Sequence, residues 1–323
     1  MSRRRVLCAG GAAGLAALGG CDPAPPAPAG LQTLRWGLDL WPGFFPGVLA
    51  DELGWHKEAG IALQLTFPEN TDRMLADFSA GHYDLICASL GDLVHITRGQ
   101  LAAQVLAVCD ESAGGDAVLL RPGGKLDERL PLRIGTNLGG FGEVFVREFL
   151  AQRRLSDQRW IWVNVDAGEV PALLAAGEVD IAHTWAPYVG KAEAAGATRL
   201  FDSRSTPGLI ADVLMATQAT VQRRGDVLRA FLRNWFRAVD WWMENPAQAR
   251  TLIARRAKVA EETVNLEGVR LLDLAENRGL LGADGRPAAL LPVVQRYSEF
   301  YLSKGGLARA LDAPKLLRAD LLP

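Results

Sequence analysis

The chain has 323 residues, 49% of them hydrophobic and 22% charged, with a formal net charge of −2. That balance is ordinary for a globular protein, and with no basic surplus to displace counterions it excludes a nucleic-acid partner. The histidines (His56, His82, His95, His183) are scattered, with no pair at metal-ligand spacing, so no metal site is expected. No later segment is long and apolar enough to span a membrane.

The chain opens with Arg3, Arg4 and Arg5, then a short apolar run from Val6 to Leu18, then Gly19 and Gly20. A charged start, a short apolar middle and a small-residue exit describe an export signal. Leu18-Gly19-Gly20-Cys21 resembles the lipobox of bacterial lipoproteins, which implies that Cys21 is diacylated and becomes the mature N-terminus. Ser2 to Leu7 also resembles a twin-arginine signal, and an uncleaved anchor helix is the plainer alternative. The stretch DPAPPAPAG behind Cys21 reads as a stiff, extended spacer. Aspartate directly after the cysteine resembles the signal that keeps Gram-negative lipoproteins on the inner membrane. We therefore expect a signal peptide over 1–20 and a tether over 21–32.

Beyond the tether, LRWGLDL reads as a strand and FFPGVLADELGWHKEAG as a helix closed by Gly60. IALQLTF follows as a strand, TDRMLADFSAG as a helix, and YDLICAS and VLAVC as strands. The same order returns further on: LRIGTN, helix FGEVFVREFLAQRRL, WIWVNVD, helix VPALLAAG, VDIAHT, helix APYVGKAEAAG. Ala80, Gly81 and Asp84 match Ala176, Gly177 and Asp180 at one constant offset. Two units of alternating strands and helices predict two α/β lobes, each with a mostly parallel sheet. After Asp212, VLMAT reads as a strand and VLRAFLRNWFRAVDWWMENP as a helix ending at Pro246, with Trp235, Trp241 and Trp242 in the core. Residues 247–311 read as further helices. Cys87 and Cys109 each end an apolar run and are expected to be buried; export permits a disulfide, and the spacing leaves their pairing open.

Ligands in such sheets bind beyond the carboxyl ends of the strands, where helix N-termini converge. Those places are Trp41-Pro42-Gly43-Phe44, Ser89-Leu90-Gly91-Asp92, Thr136 to Glu143, and Thr184-Trp185-Ala186-Pro187. Each is equally consistent with ordinary capping and turn chemistry. Trp41 and Trp185, at corresponding strand ends, are placed to close on a small ligand from either lobe. GGFGEVF is not a dinucleotide fingerprint, because a glycine is needed where Phe145 stands. No phosphate-binding loop, nucleophile elbow or catalytic triad is present, so we expect neither an enzyme nor a cofactor.

The segments WPGFFPGVLADELGWHKEAGIALQLTF, FSAGHYDLICASLGDLV, LRIGTNLGGFGEVFVREFL, ALLAAGEVDIAHTWAPYV and FRAVDWWMENPAQA carry a family likeness. They resemble substrate-binding proteins of ABC importers in the nitrate/sulfonate/taurine group, which also includes thiamine-precursor binders. The resemblance implies a two-lobed type II periplasmic-binding fold with a C-terminal helical segment. It implies lobe 1 over 33–115, lobe 2 over 116–212, and a return to lobe 1 with C-terminal helices over 213–323, crossing near Ser112–Ala117 and Gly208–Val213. It also implies ligand contacts at Trp41, Ser89, Asn137, Gly140, Phe141 and Trp185, with Asp116 and Asp212 at the crossings as cleft residues or hinge hydrogen-bonders. The expected partners are a small ligand, an ABC permease and its ATPase subunits, and a membrane reached through the lipid anchor, with the protein a monomer at the periplasmic face of the inner membrane. A sulfonate or taurine-like solute is the first expectation for the ligand. A thiamine-precursor pyrimidine, a tethered sensor without transport, and a thiamine-pyrimidine synthase-like enzyme are the alternatives.

Overall fold

The strand pattern read from the sequence recurs in the computed structural model, which describes residues 30–98, 103–126, 131–155, 160–283 and 285–323. The export signal and Cys21 lie outside the described residues. Strand β1 (Gln32–Gly37) is flanked by β2 (Ile61–Thr66) and β3 (Leu85–Ser89), all parallel. Beyond β3 the same sheet continues through β10 (Ala211–Thr217) and β4 (Ala103–Ser112) to the edge strand β11 (Val269–Leu271).

The second sheet has the order β7-β6-β8-β5-β9. Its parallel part is β7 (Ile161–Asn164), β6 (Arg133–Thr136) and β8 (Ile181–Trp185); β5 (Asp116–Leu120) and β9 (Thr198–Asp202) complete it. The two-lobed α/β fold holds, with one difference of detail. Both sheets are mixed rather than mostly parallel, because β5 and β10, the strands just after each passage between sheets, enter against their neighbours. The chain leaves the first sheet after Ser112, enters the second at Asp116, and rejoins the first at Ala211.

The internal repeat has a structural cause. Helix α3 (Thr71–Ser79) and helix α6 (Val170–Ala176) both hand over to left-handed glycines, Gly81 at φ +80° and Gly177 at φ +68°, a conformation that only glycine takes at little cost. The aspartate three residues on then clamps the neighbouring strand. The Arg35 N–H donates to Asp84 Oδ2 (2.9 Å) while the Asp84 N–H donates to Arg35 O (2.8 Å). Arg133 and Asp180 repeat this at 2.9 and 3.0 Å. Each guanidinium adds an ion pair at 3.1 Å. Burial acts to raise the Asp84 and Asp180 carboxyls, but the arginine hydrogen bonds and charges hold both below the ordinary carboxylate range.

The helix expected from Phe44 to Gly60 is two helices, α1 (Phe45–Glu52) and α2 (Trp55–Glu58), parted at left-handed Gly54. Helix α8 (Gln218–Glu244) is long and bends at Arg224, whose φ/ψ is non-helical; with α9 (Pro246–Ala257) it covers one face of the first sheet. Trp235 and Trp242 on α8 are buried, and Trp241 is half-buried against the same core. Cys87 and Cys109 are free and fully buried, their sulfurs 3.9 Å apart.

The other face carries α4 (Leu90–Arg98), α10 (Leu274–Leu281) and α12 (Ala313–Leu316), and the second sheet carries α5 (Phe141–Gln152) and α7 (Tyr188–Ala194). Helix α11 (Leu291–Ser303) packs on α4 and α5 together. From it Tyr297 donates to Leu209 O (3.1 Å), while Arg296 and the following Lys304 pair with Glu148 (3.1 Å) and Glu143 (2.9 Å) of α5. One hydrophobic cluster therefore runs from β3, β4 and α4 through α11 into α5, β6 and β8.

Candidate functional site: an acidic cleft at the strand ends

Register builds one half of the site. Asp212 on β10 lies opposite Asp110 on β4 and, on its other side, opposite Ser89 on β3. Asp110 is fully buried and Asp212 nearly so. The Trp41 indole N–H, from the loop after β1, donates to Asp110 Oδ1 (3.0 Å). That loop sits so tightly on Asp110 that a Cβ on Gly43 would lie 1.8 Å from Oδ2, so only glycine fits there. Oδ2 itself finds no N–H or O–H donor among the described residues. Asp212 stands opposite Asp110 in the β4–β10 register, near enough for the two carboxyls to interact, and two carboxylates cannot hydrogen-bond unless one carries a proton.

The electrostatics follow from that arrangement. Burial pushes Asp110 up to about 7, against the lowering effect of the Trp41 hydrogen bond. Burial also pushes Asp212 well above the ordinary carboxylate range, reinforced by the charges of Asp110, Asp116 and Asp92. Asp92, in the first turn of α4, is raised to about 6 by burial. Its carboxylate accepts from the Ser89 hydroxyl (2.8 Å) and the Ser89 N–H (3.2 Å), while the Asp92 N–H donates to Ser89 Oγ (3.2 Å). Ser89 thus caps α4, and its hydroxyl is already engaged. No lysine or arginine among the described residues pairs with Asp92, Asp110 or Asp212.

The second sheet builds the other half. Asp116 at the start of β5 is buried, and its carboxylate is 2.8 Å from His183 Nε2 on β8. Asp116 lies opposite Trp185 in the β5–β8 register, and the Asp116 N–H donates to Ser112 Oγ (3.0 Å). His183 and Trp185 are two residues apart on one strand and so share a face. Phe141 packs on both, with ring centroids 5.7 Å from His183 and 5.6 Å from Trp185.

The loop before α5 is tied down by Leu138 N–H to Asn164 Oδ1 (2.9 Å) and Gly139 N–H to Glu143 Oε2 (2.9 Å). Asn137 is exposed, and its carbonyl accepts from the Gly140 N–H (3.4 Å). Gly140 precedes α5 without a side-chain cap, which leaves the first-turn N–H groups of that helix for another acceptor. A Cβ on Gly91 would lie 2.9 Å from that of Phe141, so the N-termini of α4 and α5 meet across the two sheets.

Of the residues singled out from sequence, Trp41, Ser89 and Asp212 gather around Asp110, and Asp116, Phe141 and Trp185 around His183. Asn137 and Gly140 stand at the head of α5. Asp110 and His183 were missed. Asp110 follows the apolar run of β4, and His183 lies in the middle of β8. What places each in the site is its partner across the sheet, Asp212 and Asp116, and the sequence alone carries only the weak signal of a polar residue in or beside an apolar strand.

A model of the family described as NMT1/THI5 like matches residues 41–249. No curated protein matches the sequence. Among solved structures, the periplasmic aliphatic sulphonate binding protein SsuA of Escherichia coli is 14% identical, with a TM-score of 0.72 over 90% of this chain and 98% of that one. The periplasmic nitrate-binding protein NrtA of Synechocystis PCC 6803 is 14% identical, with a TM-score of 0.67 over 90% and 87%. The desulfurization enzyme DSZB is 16% identical, with a TM-score of 0.66 over 90% and 97%. At these identities the likeness is one of fold.

Proposed function

The chain belongs to the NMT1/THI5-like family, and from that premise we propose that it is the substrate-binding component of an ABC importer. In this reading it is exported and held by a lipid on Cys21 at the periplasmic face of the inner membrane. Its two lobes hinge at the passages 112–116 and 203–211, close over a small solute, and present it to a permease. The solutes of two structural relatives, an aliphatic sulphonate and nitrate, are anions.

The observation that carries the ligand class is the buried Asp110–Asp212 pair, which has no basic partner among the described residues. A buried carboxyl pair that shares one proton still carries negative charge, so it disfavours another anion and welcomes N–H donors or a cation. An aminopyrimidine or similar flat nitrogenous solute suits it best, with its N–H edge on the carboxyl pair and its ring against Trp41, Phe141 or Trp185. A taurine-like zwitterion fits through its amine, with the α5 N-terminus left for the sulfonate. We read the site as one of binding rather than catalysis, since Ser89 caps α4 and the described thiols are sealed in the core.

Protein purified without denaturation from cells grown in rich medium tests this, by mass spectrometry of what it releases on unfolding. A nitrogenous solute bearing N–H donors is expected. A bound sulfonate lacking any amine overturns the ligand class.

A further inference from the structure

Charge is unevenly spread over this near-neutral chain. Between Gln218 and Lys258, the α8–α9 layer, nine basic residues face three acidic ones. The N-terminal part of that layer borders a surface groove of about 560 Å³ lined by Gln32, Arg223, Arg224, Arg229 and Arg318. The bend at Arg224 shapes it: that residue leaves helical geometry, pairs with Asp84 (3.4 Å), and donates to Thr33 O on β1 (2.5 Å). Arg229 pairs with fully exposed Asp226, and Arg318 with Asp320. Arg223 and Arg233 are exposed, and no carboxylate of the described residues pairs with either. Arg233 follows Arg229 by one helical turn and so extends the same face.

This face also lies where the chain enters the fold, because Gln32 begins β1 and lines the groove. Cys21 stands eleven residues before Gln32, so a lipid there keeps a bilayer within roughly 40 Å of this surface. The geometry points to the α8 face around Arg223, Arg229 and Arg233 as a contact surface for anionic phospholipid headgroups, which orients the body on the membrane. Phosphate oxygens match guanidinium forks, and each free arginine at an anionic surface raises partitioning about fivefold. The tether reading supplies only the nearness of the bilayer; the surface itself is testable without it.

The test uses residues 31–323, which form one compact unit without Cys21. That body is sedimented with vesicles of phosphatidylcholine alone and of phosphatidylcholine mixed with phosphatidylglycerol, at low and at raised ionic strength. It is expected to pellet only with the anionic vesicles and to be released by salt. Arg223→Glu combined with Arg233→Glu is expected to lower partitioning at least roughly twentyfold. Lys125→Glu combined with Lys191→Glu makes the same charge change on exposed residues of the second lobe and is expected to change partitioning far less. Equal loss in the two pairs, or no preference for anionic vesicles, overturns the proposal. Arg223→Gln with Arg233→Gln provides a milder pair should the reversals unfold the body. Loss of membrane fractionation by full-length Cys21→Ser at raised ionic strength, where the electrostatic contact is released, reports on the tether alone, so the two ideas fail separately.

Discussion

Asp110 and Asp212 face each other from neighbouring strands, β4 and β10, with the Trp41 indole on one carboxyl and no basic side chain among the described residues on either. Stability should therefore depend on pH in a specific direction. Asp110 is raised from an unfolded value of about 3.9 to about 7, so the native state holds more protons than the unfolded state between those values. Stability is then fully present below about pH 4 as far as this group is concerned, and is lost as the pH rises toward 7. Asp84 and Asp180 act oppositely: their values are depressed, and their contribution is lost as the pH falls through the acid range. The ligand-free protein should melt at its highest temperature in mildly acid buffer. Asp110→Asn should flatten the fall between about pH 4 and 7, as read by thermal melts; an unchanged slope contradicts the assignment.

Gly43→Ala drives a methyl group into the Asp110 carboxylate. Overpacking of this kind costs about 1–3 kcal/mol. Urea titration should show a lowered midpoint with an unchanged slope, and pairing the change with Asp110→Ala should restore much of the loss. No rescue means that the loop clashes elsewhere.

The repeated clamps predict additivity. Asp84→Ala and Asp180→Ala each leave a strand N–H without its acceptor, at about 1–3 kcal/mol apiece. The two aspartates belong to separate sheets, so the double variant should lose the sum to within about 0.5 kcal/mol. A large departure from additivity in denaturant titrations indicates that the two lobes do not unfold independently of these contacts.

Trp185 packs on Phe141 and His183 and is half-buried. Trp185→Ala should weaken binding of a flat ligand by about 1–3 kcal/mol while leaving far-ultraviolet dichroism intact. Unchanged affinity by calorimetry returns Trp185 to a packing role.

Much of the fold was legible because helix and strand periods alternate clearly and because the Ala-Gly-x-x-Asp repeat has a geometric cause in Gly81, Gly177 and the two arginine clamps. The strands β5, β9 and β11 were not legible. Strand β11 has only three residues, and β5 and β9 join the second sheet by antiparallel pairing that tertiary context rather than local pattern sets. For the site, Trp41, Asp116, Phe141, Trp185 and Asp212 could be named from strand ends and crossings. Asp110 could not, because its significance lies in the register that sets it opposite Asp212, and register across non-sequential strands leaves no local mark. His183 looked like one of four scattered histidines until β5 brought Asp116 beside it.

The most direct test of the acidic-cleft account is a thermal-shift comparison of wild-type and Asp212→Asn protein near pH 8, against aminopyrimidines, taurine, alkanesulfonates and nitrate. A true ligand at about 100 times its Kd adds about 2.7 kcal/mol of stability. N–H-bearing nitrogenous solutes should raise the wild-type midpoint, and Asp212→Asn should lose the response. A rise with nitrate or a simple alkanesulfonate, equal in both proteins, would contradict it.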